Sequence, residues 1–302
     1  QILEIYDAVS TAFVGILLLI TAPMMTFAFT RLLRARQFKN NYSIRMVVLN
    51  GAAELLNCFL FTFAFQLTTF PFVSPFYAFL IRYELAWLLC SIWALFNILS
   101  IHTRFYVAIT RLSALHPILF RRTNSPVIFA ICILTTIAGT VPSILDIHVF
   151  NTFNYLDFYI GDMLVYLPYT NRTYMVLNDI NNGHFLVMSA ITLIANLILS
   201  LTLFRKSKEI ASITNSRRGK QERGLMITSI VSYLFYMVYF VNSYIAREFE
   251  WTWSAFSQYL FLGISCHSPF WCLMIFSGSI RAMVLHRKSA TDTRTAVNSF
   301  TV

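Results

Sequence analysis

The sequence predicts an all-α membrane protein, a bundle of seven transmembrane helices with the N-terminus outside and the C-terminus inside. Three observations lead there. The 302-residue chain is 57% hydrophobic and only 12% charged, where a soluble domain carries about 25% charge. Seven apolar runs reach the ~20 residues that a bilayer crossing needs. The basic residues also alternate from one connection to the next: of 23 Lys and Arg, 20 fall in the odd-numbered connections and the tail, and three (Arg82, Arg172, Arg247) in the others. Basic loops stay in the cytoplasm, so the odd connections lie inside.

The predicted spans follow in order. Residues 9–31 form an unbroken apolar run, preceded by the acids Glu4 and Asp7 and by no Lys or Arg. Arg31, Arg34, Arg36, Lys39 and Arg45 then mark an inner connection. The second span, 44–70, holds LNGAAELLNCF, with an acid in its middle. The third, 83–111, runs into ITRLSALHPILFRR, where an apolar helix ends on Arg111, His116-Pro117 and Arg121-Arg122. The fourth, 126–147, contains Pro142 and ends on Asp146, a cap at the outer surface. The fifth and sixth, 184–204 and 224–246, flank an inner loop from Arg205 to Arg223 with seven basic residues. The seventh, 254–280, is interrupted at Ser268-Pro269. Residues 1–285 thus read as one membrane domain, and 286–302 as a solvated inner tail rich in Ser and Thr.

Several function classes are excluded or disfavoured. The net charge of +10 follows from the inner-loop bias and attracts anionic membrane lipid, so nucleic acid is not needed to explain it. All five cysteines (Cys58, Cys90, Cys132, Cys266, Cys272) fall inside spans, where Cys is a small packing residue; we expect no disulfide, no metal site and no cofactor. No Gly-x-Ser-x-Gly and no clustered carboxylate pair suggests an enzyme. Every lysine lies outside the spans, which removes a retinal-type Schiff base. A transporter or ligand-gated channel is the alternative reading. It is disfavoured because seven unmatched spans show no half-sequence repeat.

Polar residues inside spans each need a reason, because a charge at a bilayer's centre costs about 2.5–3.5 kcal/mol on insertion scales. Glu54 has Asn50 and Asn57 about one turn away on either side. It reads either as an acid near Ser100 or His267 that switches helix packing, or as a static inter-helix hydrogen-bonding residue. Arg104 is expected to snorkel from the inner end of the third span to the headgroups, and Arg82 and Glu84 to anchor its outer end. Pro142 and Pro269 are hinge candidates. The aromatics Trp87, Trp93, Tyr236, Tyr239 and Tyr259 are the candidate lining of a ligand pocket among the outer halves of the third, fifth, sixth and seventh spans, one suited to small, fairly apolar molecules.

Seven spans with an outer N-terminus and short loops resemble a G-protein-coupled receptor. The motifs are similar to those of a divergent set, the nematode serpentine chemoreceptors of the gamma or V-like branch. The matching residues are Arg111-Leu112-Ser113-Ala114 with Pro117, then Gln221-Glu222-Arg223-Gly224-Leu225 entering the sixth span, and Ser268-Pro269-Phe270-Trp271 leading to Ile280-Arg281. Against the rhodopsin-like pattern, Thr110 stands where an acid precedes the arginine, and Cys272 where a tyrosine stands. The resemblance implies a chemosensory receptor in the plasma membrane, with the cilium of a sensory neuron as a candidate site. It implies a small-molecule ligand, a heterotrimeric G-protein reached through Arg111, Thr110, Pro117, Glu222 and Arg223, and an arrestin-like partner at the tail. Arg111 reads either as a switch, bonding the fifth and sixth spans in one packing and free in another, or as a positive-inside anchor.

The topology makes one simple prediction. Asn171-Arg172-Thr173 lies in the longest outer loop and Asn41-Tyr42-Ser43 in an inner one. Glycosidase treatment should therefore shift the gel mobility of the cell-expressed chain. Asn171→Gln should abolish that shift and Asn41→Gln should leave it intact.

Overall fold

The computed structural model describes residues 2–34, 42–67, 70–83, 85–115, 126–149, 159–160, 163–164, 172–205, 217–248 and 252–285. Seven of its helices are long and apolar enough to cross a membrane: Ile2–Arg34, Tyr42–Phe61, Ala86–Leu115, Pro126–Val149, Arg172–Arg205, Arg217–Glu248 and Thr252–Phe276. These are the first to seventh spans below. Apolar sequence chooses this structure because lipid offers backbone N–H and C=O groups no partner, and a helix satisfies them within itself. Among the described residues the all-helical expectation holds apart from one short hairpin, in which Tyr159–Ile160 pairs antiparallel with Met163–Leu164.

Three boundaries differ from the sequence reading. The second span, expected to run to residue 70, is α-helical only to Phe61 and continues as a π-helical turn, Thr62–Gln66. Pro71 explains the end: it lacks an N–H and disfavours a helical conformation in the residue before it. A single turn at Pro71–Val73 and a helix at Ser74–Arg82 follow, so the third span starts at Ala86 rather than 83. The seventh span, expected to break at Ser268-Pro269, has a helix that passes through Pro269. Pro269 cannot donate to the carbonyl of Ser265 four residues back, and the Ser268 hydroxyl donates to that carbonyl instead, at 2.8 Å. The interruption falls at Ser277, after which the short helix Gly278–Leu285 begins. Arg281 donates to the carbonyls of Met274 and Ile275, and Arg31 of the first span donates to the carbonyl of Val284 at 2.7 Å.

The bundle places apolar side chains outward and polar ones inward. Leu19, Leu134 and Phe204 are exposed, whereas Glu54, His102, Arg111 and Ser265 are buried. The seventh span is central, with 67% of its apolar window buried, and the fourth is peripheral, with 17%. The sixth and seventh spans form the most extensive pairing, followed by the second and third.

The sixth and seventh spans meet most tightly at Gly224. A Cβ there would lie 2.5 Å from the carbonyl oxygen of Phe276 and 3.0 Å from the Ser277 Cα. These are backbone atoms and cannot swing aside. One turn on, the Thr228 hydroxyl contacts the carbonyls of Gly224 and Cys272, at 2.9 and 3.2 Å. Gly224→Ala should therefore destabilise the bundle by about 1–3 kcal/mol. Gly183→Ala, at a helical glycine with open space around it, should be neutral or stabilising by up to about 1 kcal/mol. Thermal unfolding in lipid nanodiscs compares the two.

Candidate functional site

The second and third spans run antiparallel, so rising numbers in one face falling numbers in the other. Asn57 donates to Asn97 Oδ1 at 3.2 Å, and Thr103 donates to Asn50 Oδ1 at 3.0 Å. Between these two rungs Glu54, fully buried, meets Arg104. The pair is bidentate, Nε to one carboxylate oxygen and Nη2 to the other. Nη2 also donates to Ser265 Oγ of the seventh span at 3.1 Å, and the guanidinium carbon sits 4.0 Å over the Tyr236 ring of the sixth. One side chain of the third span thus touches the second, sixth and seventh. Tyr236 extends the connection to the fifth span, its hydroxyl 2.9 Å from Ser189 Oγ.

This arrangement corrects two expectations. Arg104 does not snorkel to the headgroups: only 10% of its side chain is exposed, and its guanidinium is occupied at the bundle centre. Glu54 hydrogen-bonds Arg104 rather than Ser100 or His267. The Ser100 hydroxyl donates to the carbonyl of Asn97, and His267, 2% exposed, lies against Cys58. The physical reason is that a carboxylate inside an apolar bundle needs a counter-charge, and a hydroxyl or neutral imidazole supplies none.

A cavity of about 30 Å³ lies beside the ion pair, lined by Asn50, Arg104, Asn196, Ser229, Ser232 and Pro269 among others. It has room for a water molecule or two and several polar groups to hold them. Val47, Val107 and Leu225 close its side toward the basic ends of the spans.

Arg111 lies two turns beyond Arg104 on the same helical face, since seven residues return close to the starting direction. It is 1% exposed, which argues against an anchor at the headgroups. Near it in the third span, Ala108 and Leu112 pack with Ala195 and Leu199 of the fifth and Met226 of the sixth. Thr110 is buried and donates to the carbonyl of Val107. Arg223 is exposed on the sixth-span helix. Pro117 and Asn171 lie outside the described residues, as do the side chains of Glu222 and Trp87.

The other aromatics pack against one another. Phe61 stacks on Tyr259 at 5.8 Å and faces Trp93 at 6.0 Å. The Tyr259 hydroxyl meets Thr62 Oγ1 at 2.8 Å, and Tyr239 lies 6.2 Å from Tyr236. None of Trp93, Tyr236, Tyr239 or Tyr259 lines the cavity, although Tyr233 does.

Sequence reasoning missed Arg104 as the partner of Glu54. One signal was available: Arg104 shares a face with Arg111, whose helix the charge pattern places in the membrane. The structure also joins His102 to His184, a pairing across 82 residues that no local pattern indicates.

Removing one member of the ion pair strands the other. Glu54→Ala should cost about 3–5 kcal/mol, because Arg104 stays buried and unpaired. The double replacement Glu54→Leu, Arg104→Leu should recover most of that loss; the midpoints of thermal unfolding in nanodiscs separate the two outcomes. Among known proteins, no family model and no curated protein matches the chain, so a functional reading rests on these residues.

Proposed function

We propose that the chain is a chemosensory receptor of the nematode serpentine kind, which passes a small-molecule signal across the plasma membrane to a heterotrimeric G-protein. The reading rests chiefly on one observation, the Glu54–Arg104 pair at the junction of four spans. A buried ion pair held by groups on several helices is either made or broken, with little between, and a two-state packing element is what a receptor requires. The polar cavity lies on its basic side, toward the surface where the basic loops would meet a cytoplasmic partner. Arg111, buried two turns further along the same face, belongs to the layer that such a partner would have to rearrange.

The ligand would act on the aromatic layer at the opposite ends of these helices, around Trp93, Tyr239 and Tyr259. Tyr236 connects this layer to Arg104 by ring and guanidinium. A ligand shifts the balance only as far as it binds one packing better than the other, and a shift from 1:99 to 99:1 needs about 5.5 kcal/mol of preference. A small apolar molecule delivers that by separating packed aromatic rings, not by tight binding alone. The sensory cilium is the natural site for such a receptor, and the Ser/Thr-rich tail a place for an arrestin-like partner.

The test compares ligand-independent second-messenger levels in cells expressing the intact chain, Glu54→Gln or Arg111→Ala at matched surface density. Glu54→Gln weakens the lock and should raise the basal signal severalfold; Arg111→Ala should lower it. Absence of any G-protein response, together with ionic current or solute flux through the expressed chain, would sink the receptor reading in favour of a channel or transporter.

A further inference from the structure

A second polar cluster lies on the other side of the third span, away from Arg104. His102, 2% exposed, points its Nε2 at His184 Nε2 of the fifth span, 3.0 Å away. Its Nδ1 lies 3.1 Å from Thr136 Oγ1 of the fourth. Gly139 makes room for both rings: a Cβ there would sit 3.2 Å from Cε1 and Nε2 of His184 and 3.3 Å from Cε1 of His102.

The hydrogen bonds have a determinable direction. The single hydroxyl hydrogen of Thr136 goes to the carbonyl of Cys132 at 2.7 Å, so Thr136 Oγ1 can only accept from the imidazole. His102 therefore carries its hydrogen on Nδ1 and has a bare Nε2. His184 must then supply the hydrogen between the rings, from its own Nε2. The remaining free lone pair of the two rings is on His184 Nδ1, and His184 is the half-buried ring, whereas His102 is enclosed. It stands at the start of the apolar part of the fifth span, just after the polar run NDINN.

We propose that His184 and His102 form a proton-operated latch between the third and fifth spans, closed when both rings are neutral and opened when His184 Nδ1 takes up a proton from water. The bond formed is N–H on Nδ1, the bond broken is an O–H of hydronium, and the product is an imidazolium facing a neutral imidazole. The groups around it do not pair the new charge. From the fourth span come Cys132 and Thr136. From the sixth come the phenols Tyr233 and Tyr236, both bonded to Ser189. On the third span, Arg104 is two residues away on the opposite face and already neutralised by Glu54. On the fifth, the side chain of Asp179 lies outside those described. Among the described residues no carboxylate forms an ion pair with either ring. A charge-assisted hydrogen bond is stronger than a neutral one, but its gain is smaller than the penalty of holding an unpaired ion in a water-poor interior. The charged ring therefore leaves for the polar outer turn, and His102 loses its donor. The latch holds at neutral pH and opens on acidification. It does not depend on the receptor reading, because it concerns packing and proton uptake alone.

The test is nitrogen NMR on the full chain with ¹⁵N-labelled histidine, in lipid bilayers, from about pH 8 to about pH 4, which extends below the range in which free imidazoles titrate. The chain has six histidines, and His102→Gln and His184→Gln assign the two signals. At high pH we expect His102 in the Nδ1–H tautomer, with nitrogen–nitrogen coupling across to His184. On acidification that coupling should vanish, both rings changing in one step. In each Gln variant the surviving ring should titrate as an isolated histidine. Thr136→Val, which keeps the shape but removes the acceptor, should let His102 populate both tautomers. Independent titration of the two rings in the intact chain would overturn the proposal, and so would coupling that survives to about pH 4, well below the range in which free imidazoles titrate. Stoichiometric binding of zinc ion by the pair at pH 8 would overturn it too, making a metal rather than a proton the occupant.

Discussion

The Glu54–Arg104 ion pair is the constraint around which the rest of the bundle is arranged. Each charge alone would cost a few kcal/mol to place mid-membrane, so neither residue is tolerable without the other. That requirement fixes the depth of the second span against the third. The Asn57–Asn97 and Asn50–Thr103 bonds above and below it keep the same register. The remaining donors of Arg104 then select what approaches from the far side: a hydroxyl, Ser265, and the face of a ring, Tyr236. Nη1 has no partner among the described residues, so the guanidinium is not saturated. An arginine with an unused donor beside a polar cavity has somewhere else to bond, which a fully satisfied one lacks.

The third span distributes these interactions by direction. At about 100° per residue, Arg104 and Arg111 share one face while His102 points nearly the opposite way. The helix therefore contacts the second, sixth and seventh spans through one polar set and the fourth and fifth through another. A rotation of this single helix would disturb both sets together.

Much of the fold was legible in the sequence, and for a simple reason. Solvent selects the membrane span one segment at a time, so apolar length and loop charge report it locally. Glu54 was legible as a buried acid by the same logic, with Asn50 and Asn57 on its face. Its partner was not, because pairing depends on helix register and depth, which no local pattern encodes; Arg104 lies near enough to a span end to pass for a snorkelling residue. The uninterrupted helix at Pro269 was hidden for a similar reason. Proline signals a break, and the rescue depends on whether the Ser268 hydroxyl reaches the Ser265 carbonyl, a matter of rotamer rather than of residue type. Arg111 looks exposed in the sequence because basic residues at span ends usually are, and its burial depends on how the neighbouring helices pack.

The bundle is best understood as two pairs of helices, with Arg104 reaching from one pair to the other. The second and third spans are bound by side-chain amides, a hydroxyl and the carboxylate. The sixth and seventh are bound by backbone contact at Gly224 and Phe276 and by the Thr228 hydroxyl on Cys272. Backbone contact of that closeness leaves no room for sliding, so the sixth and seventh spans move together or not at all. The interface between the pairs is of another kind: side-chain contacts, Arg104 with Ser265 and Tyr236 at one level and Thr62 and Phe61 with Tyr259 at another, beside a cavity. A single hydrogen bond of this kind is worth about 1 kcal/mol, and none of these contacts is the close backbone approach seen at Gly224. If the molecule has a second packing, the boundary that yields is therefore the one that runs past Arg104.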